Sequence, residues 1–503
     1  MQMKKLYLLL VMTLILGTMA CGKADEKADA KQDTVTTTTE SAETVEEVLF
    51  SDAVKIELSN SEILVNGEKI SENTEDAVYK ANDIIFYLEN QGIEYGEGKK
   101  ADEHSQIEGD AHTVVHITEP GAYEISGTLD AGQIFVDLGD DTKDDEEAVA
   151  TLILNEVDIT CTVAPAIFFY RTYECAGDVE EDDATMEVDT SMAGANLVLA
   201  EGSKNKVYGS YVAKIYESCE LSEDGTEVVE SKKLHKYDGA VYSKRSINVS
   251  GAGTLDIVAE NEGFCSEMHM TINGGKIRIK SGNDGINVNE DNISVFTMND
   301  GELTIQVTGE TGEGDGIDSN GWLLVNGGSV SSAACETSMD SGIDADKGIY
   351  INGGTVTASG NMAAELAEGM QEVVSFASFE KLEAGKTYKV KDSAENVILE
   401  VKPKNAFTML SVSAEGFDKE ETYTLWQDDT KIADSSMSNM EMFGPGMRPD
   451  GEMPEGMMPP EGFPEGMMPP EGFPEGMEPP EGFKGGGERP AMPDGRGPAK
   501  KIK

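Results

Sequence analysis

The residues best placed to do chemistry in this chain are carboxylates set beside glycines at regular intervals. Asp238-Gly239-Ala240-Val241, Glu262-Gly263-Phe264-Cys265, Asp284-Gly285-Ile286-Asn287, Asp315-Gly316-Ile317-Asp318 and Ser341-Gly342-Ile343-Asp344 follow in order, their glycines 24, 22, 31 and 26 residues apart. If each motif opens one turn of a stacked strand structure, equivalent residues lie ~4.8 Å apart. One column then holds Asp238, Glu262, Asp284 and Asp315, and a second holds Asn287, Asp318 and Asp344. Carboxylates that close repel one another and destabilise the column unless a cation sits among them. Calcium suits the task, being a hard cation that takes about six to eight oxygens. The spacing therefore predicts calcium ligation by Asp284, Asn287, Asp315, Asp318, Asp344 and Asp346, with Asn283, Asn289 and Glu290 near enough to add oxygens. The alternative is that these Asp residues only form turns and face solvent.

Other chemistry is harder to build. His104, His112, His116, His235 and His269 show no metal-ligand spacing, and His112 and His116, on one face of a strand around Val114-Val115, read as structural. No nucleophile elbow, phosphate loop or dinucleotide fingerprint occurs. The cysteines (Cys21, Cys161, Cys175, Cys219, Cys265 and Cys335) have no CxxC spacing and read as small apolar side chains. A Cys175–Cys219 bridge has nothing in the sequence to support it.

The elements that must hold the carboxylates are announced by a second repeat. Gly251-Ala252-Gly253, Asn273-Gly274-Gly275, Asn299-Asp300-Gly301, Asn326-Gly327-Gly328 and Asn352-Gly353-Gly354 each precede a short β-branched run, their last glycines 22, 26, 27 and 26 residues apart. Asn and Gly suit corners because both tolerate positive φ. A period in the twenties with such corners predicts an all-β fold, a right-handed parallel β-helix whose turns share one apolar column. A leucine-rich repeat would need regularly spaced Leu and a helical half, and the sequence has neither. Composition agrees: 39% of residues are hydrophobic but only 6% aromatic, which favours a core of Ile, Val and Leu. The 95 Asp and Glu against 39 Lys and Arg give a net charge of -56, which excludes nucleic acid as a partner.

The organisation follows. Residues 1–20 read as a signal peptide, with Lys4 and Lys5 before a short apolar run, and Ala20-Cys21-Gly22 predicts that Cys21 is the lipid attachment site of an exported, membrane-anchored cell-surface lipoprotein. Residues 21–48 read as a disordered tether, and 49–109 as an N-terminal region whose spacing admits one short helix, Ala77–Leu88. The parallel β-helix spans 110–370, broken by acidic insertions at Cys175–Ser191 and Tyr216–Lys233. A small β-rich C-terminal cap covers 371–435, and a tail of Pro, Gly, Met and Glu, repeating every ten residues from Pro454, fills 436–503.

One family resembles this chain. Ile117-Thr118-Glu119-Pro120-Gly121-Ala122-Tyr123, Asn155-Glu156-Val157-Asp158-Ile159, Pro165-Ala166-Ile167, Leu197 to Asn205 and Asp238 to Lys244 run in its order. It comprises the calcium-associated β-helix carbohydrate-binding proteins of cellulolytic bacteria, similar in fold to pectate lyases. At two turns the family's Asp-Gly-Ile stands here as Glu262-Gly263-Phe264 and Ser341-Gly342-Ile343. The resemblance implies non-catalytic binding of plant-type polysaccharide, acidic or neutral, rather than an enzyme. The runner-up is a pectate-type lyase, which needs a basic residue, and Lys244, Arg245, Arg278 and Lys280 are the candidates in the repeat. A third reading is a structural surface protein or adhesin. An acidic polymer would be bridged through calcium, whereas a neutral glucan would lie on Trp322 and Tyr350.

Overall fold

The computed structural model describes residues 51–435 except Glu365 and Glu368. The signal peptide, Cys21, the tether and the Pro/Gly-rich tail lie outside the described residues. The described chain is almost entirely strand and turn. Apart from helical Ser51 and Asp52 at its start, it holds one short α-helix among these residues, Gln106–Asp110, fixed by a reciprocal capping box between Ser105 and Glu108.

Alternation is what makes the strands. Lys276–Ser281 and Glu302–Val307 leave every other residue exposed or half-buried and bury Ile277 and Ile279, Leu303 and Ile305. Successive circuits pair in parallel, so Leu255, Ile277, Leu303, Val330 and Val356 form one buried file. Outward files carry ion pairs between circuits, such as Arg278 with Asp256 and Lys276 with Glu302. One 19-stranded sheet results, and it nearly closes on itself. Its early strands, Gly121–Leu129 and Ala150–Cys161, are long and continuous. From Ala195 on, each is replaced by two shorter strands across a corner, such as Ala195–Leu199 and Lys204–Gly209.

The corners work differently from the expectation. The glycines do take positive φ, at Gly275, Gly301, Gly328 and Gly354, but the asparagines do not. Instead Asn299 donates its side-chain amide to Asn273 at 2.8 Å, Asn326 to Asn299 at 2.9 Å, and Asn352 to Asn326 at 2.8 Å. They form a ladder of amides, one rung per circuit.

A second, nine-stranded sheet carries the carboxylates. It runs from Val78–Ala81 through Thr113–Ile117, Gly132–Asp137, Ile167–Arg171, Gly239–Ser243, Glu262–Ser266, Ile286–Val288 and Ile317–Ser319 to Asp344–Ala345. All its pairings are parallel but the first. That first strand overturns the helix expected at Ala77–Leu88. Val78 and Tyr79 pair with Ile117 and His116, because an open sheet edge claims backbone bonds that a short helix would otherwise keep. At the far end, Phe407–Ser413 runs antiparallel beside Thr355–Gly360 and Val373–Leu382, and a four-stranded sheet over 388–434 shares an apolar cluster with Phe376, Leu410 and Val412 of these strands. The second insertion is an antiparallel hairpin, Val212–Leu221 with Val228–Tyr237. No disulfide joins the five described cysteines.

Candidate functional site

On the nine-stranded sheet, inward Ile286, Val288, Ile317 and Ser319 are buried, and the residues between them face out. Strand register puts Cys265, Asn287, Asp318 and Asp344 side by side in one outward row. Glu262, Asp284 and Asp315 sit just before the glycines that lead into these strands. Those glycines permit a close approach. A Cβ on Gly285 would lie 2.3 Å from Ile305 Cγ2, and one on Gly316 would lie 1.8 Å from Ser332 Oγ. The carboxylates are thus held where the backbone is tightest.

Oxygens of Asp315, Asp318 and Asp344 lie within 4.8 Å of one another. Asp315 is buried and the other two are half-buried. Each pair of unit charges at that distance would cost about 3–4 kcal/mol at an effective dielectric near 20. The cluster therefore resists full ionisation without a counter-charge. Burial, with Asp284, Asp344 and Asp318 close by, pushes the Asp315 carboxyl up to about 9. Burial and the nearby Asp238 push Glu262 up to about 8, and burial with Glu262 lifts Asp284 well above its usual range. Backbone N–H groups hold single oxygens in place, Asp315 N–H donating to Asp284 Oδ1 and Ser341 N–H to Asp315 Oδ1, both at 2.7 Å. Two further oxygens, Asn287 Oδ1 and Glu262 Oε2, are buried with no hydrogen-bond partner. A buried orphan acceptor costs about 1–3 kcal/mol, so this donor set fits a hard cation: carboxylates plus an amide oxygen at a strand edge.

Of the residues read from the sequence, the structure brings together Asp315, Asp318 and Asp344, with Asn287 and Asp284 adjoining. Asp346 is exposed and falls outside the group. Asp238 is one position out of its expected column. Gly239 pairs with Glu262, not Gly263, because the chain enters this strand directly from the inserted hairpin. Lys236 holds the Asp238 carboxylate at 2.8 Å. Trp322 and Tyr350 are half-buried on the other sheet, where Trp322 is opposite Gly348 and Tyr350 opposite Leu324. Arg278 belongs to that sheet too, paired with Asp256 at 2.7 Å.

The sequence reading missed an aromatic half of the carboxylate row. Traced the other way, Cys265 pairs with Tyr242, Tyr242 with Phe168, Phe168 with Phe135, Phe135 with His116 and His116 with Tyr79. The signal was present only in part: His116 stands between buried Val115 and Ile117, and Phe135 between buried Ile134 and Val136. The insertions stretch its spacing and hide the period.

Rings and then oxygens thus follow one another along a single row of a parallel sheet in a nearly all-β chain. Residues 111–196 and 179–402 match the model of a family described as "Carbohydrate-binding domain-containing protein". These matches span more than half of the chain, which belongs to that family. A protein of that description from Acetivibrio thermocellus is 29% identical over 168 residues, covering 33% of this chain and 45% of its own length. The chain therefore matches less than half of that relative. Among solved structures, a polysaccharide lyase-like protein from C. thermocellum, as a gadolinium derivative, matches at 21% identity and a TM-score of 0.33, over 60% of this chain and 93% of its own.

Proposed function

We propose that this protein is a non-catalytic polysaccharide binder, exported and tethered through Cys21, whose stacked circuits form a right-handed parallel β-helix stabilised by calcium. The observation that carries the reading is the convergence of Asp315, Asp318 and Asp344 within 4.8 Å on the outer face of the nine-stranded sheet. It lies inside the segment matched by the carbohydrate-binding family. A calcium ion there would be bound by these carboxylates with the Asn287 amide oxygen, leaving coordination positions for sugar oxygens. Net charge of -56 repels a plant-type acidic polymer at long range, so its binding must be local and metal-bridged.

Spacing argues against the lyase. Burial pulls the Lys244 ammonium below its usual value, as a general base needs. But Lys244 follows the strand of Tyr242, three strands from Asp318. At ~4.8 Å per strand that is roughly 14 Å, too far for one uronate ring to reach both base and cation. Affinity electrophoresis of the full chain against pectate, cellulose and xylan, each with calcium and with chelator, tests the proposal. Pectate should retard the protein only with calcium present. Retardation by none of the three in either condition would overturn the reading in favour of a structural surface protein.

A further inference from the structure

The aromatic half of the row leads to a cavity of about 250 Å³ on the outer face of the same sheet, lined by Tyr79, His116, Phe135, Phe168 and Tyr237 with Asp83 and Asp137 at its polar side. We propose that this cavity is a second carbohydrate site, one that takes a neutral pyranose ring. The inference rests on the polysaccharide-binding reading and adds a site to it.

Of the cavity's rings, Tyr79 and Phe135 are partly exposed and can meet a ligand, while Phe168 and Tyr237 are buried and back them. On a sheet face whose later positions are Asn287, Asp318 and Asp344, the early positions are all rings. His116 lies flat on Tyr79, centroids 4.5 Å apart and planes 7° apart. Phe135 meets the edge of His116 at 5.3 Å and Phe168 at 5.1 Å, and Tyr237 closes on Phe168 at 4.5 Å. Tyr237 comes from the inserted hairpin, so the insertion walls the cavity. Drug-sized ligands fill pockets of about 300–1,000 Å³, so 250 Å³ suits a single ring, not a disaccharide.

Sugar rings present C–H faces for aromatics and equatorial hydroxyls for planar acceptors. Both are here. Asp83 gives one oxygen to His116 Nε2–H at 2.9 Å and has a side chain 56% exposed. Asp137 chelates Arg171 Nε and Nη2 at 2.5 and 2.6 Å. Asp137 also accepts the Gly139 N–H at 3.1 Å and is largely taken up, whereas Asp83 retains lone pairs after its one bond, and a hydroxyl donating to it makes a charge-assisted bond. Among the described residues, the charged side chains that line the cavity are these two acids. Arg171, nearby, is neutralised by Asp137 and Asp140. A uronate carboxylate would meet like charge, whereas a neutral ring would not.

Calorimetric titration of the full chain with cellohexaose, xylohexaose and hexagalacturonate, in chelator and in calcium, tests this. A neutral hexasaccharide should bind equally in both conditions. Phe135→Ala and Asp83→Asn should each weaken it at least tenfold, while hexagalacturonate binding in calcium stays as in wild type. Asp83 is at the surface, so Asp83→Asn remains informative if Phe135→Ala misfolds. Neutral-sugar affinity unchanged in Asp83→Asn would overturn the assignment. So would calcium-dependent hexagalacturonate binding with no neutral binding, a result that leaves the metal-bridged reading standing. Absence of all sugar binding would sink both.

Discussion

Asp318 and Asp344 are register partners on adjacent parallel strands, and their carboxylates converge with that of buried Asp315. Like charges placed directly opposite destabilise a sheet. If calcium relieves this, it binds the folded chain and not the unfolded one. Stabilisation then follows RT ln(1 + [L]/Kd), about 2.7 kcal/mol at a hundredfold excess over Kd. Protein stripped of metal should melt a few degrees lower in chelator than in millimolar calcium by scanning calorimetry. Identical melting in both would count against a cation at these residues.

Acid should act through His112. Its Nδ1–H donates to the Glu108 carbonyl at 2.8 Å and its Nε2 accepts the Thr162 N–H at 3.2 Å. Burial pulls its pKa below the usual 6.5. A base with a depressed folded pKa contributes stability above its unfolded pKa, and loses it as pH falls through that value toward the folded one. Protonation must also break the Thr162 bond. Wild type should therefore lose more melting temperature between pH 7.5 and pH 5.5 than His112→Gln does. An equal loss would remove His112 as the cause.

The amide ladder should contribute measurably although it is exposed. Asn326 donates to Asn299 and accepts from Asn352. A hydrogen bond is worth about 0.5–1.5 kcal/mol net, and water can replace part of each. Asn326→Ala should destabilise by about 1 kcal/mol, read as a lower urea midpoint at unchanged slope. No shift in midpoint would make the ladder an ornament of the corner glycines.

How much of this was written in the sequence depends on how local the signal was. Corner glycines such as Gly275, Gly301, Gly328 and Gly354 set the period, and the strands after them pair with those spacings. Asp315, Asp318 and Asp344 were legible because no insertion separates their turns. Asp238 slipped by one, and the ring row stayed hidden, because the hairpin at 212–237 and the loop at 172–194 interrupt the count there. Val78–Ala81 was misread as helix because its partner, Thr113–Ile117, is distant in sequence. Non-local pairing has no local signature.

Lipidation is testable apart from the fold. Lys4 and Lys5, the apolar run Leu6 to Leu16 and Ala20-Cys21-Gly22 together predict attachment at Cys21. Metabolic labelling with a palmitate analogue should mark the wild type and not Cys21→Ala. Equal labelling would defeat the assignment.

Asp344 and Asp346, two residues apart, should part company. Both were read from the sequence as calcium ligands, yet only Asp344 has an oxygen within 4.8 Å of those of Asp315 and Asp318. Asp346 is exposed, its backbone N–H donating to the Ser319 carbonyl at 3.0 Å. Replacing a carboxylate ligand by an amide keeps the shape but removes a charge and one strong donor oxygen. Asp344→Asn should lower calcium affinity about tenfold, the loss that about 1.4 kcal/mol of binding free energy represents. It should also raise the melting temperature of the stripped protein, because one repulsive charge leaves the cluster. Asp346→Asn should do neither. Calcium titration followed by calorimetry on both variants checks this. Equal losses would place the ion further out, on the turn at 345–347, and matching wild-type affinity in Asp344→Asn would remove it from this row.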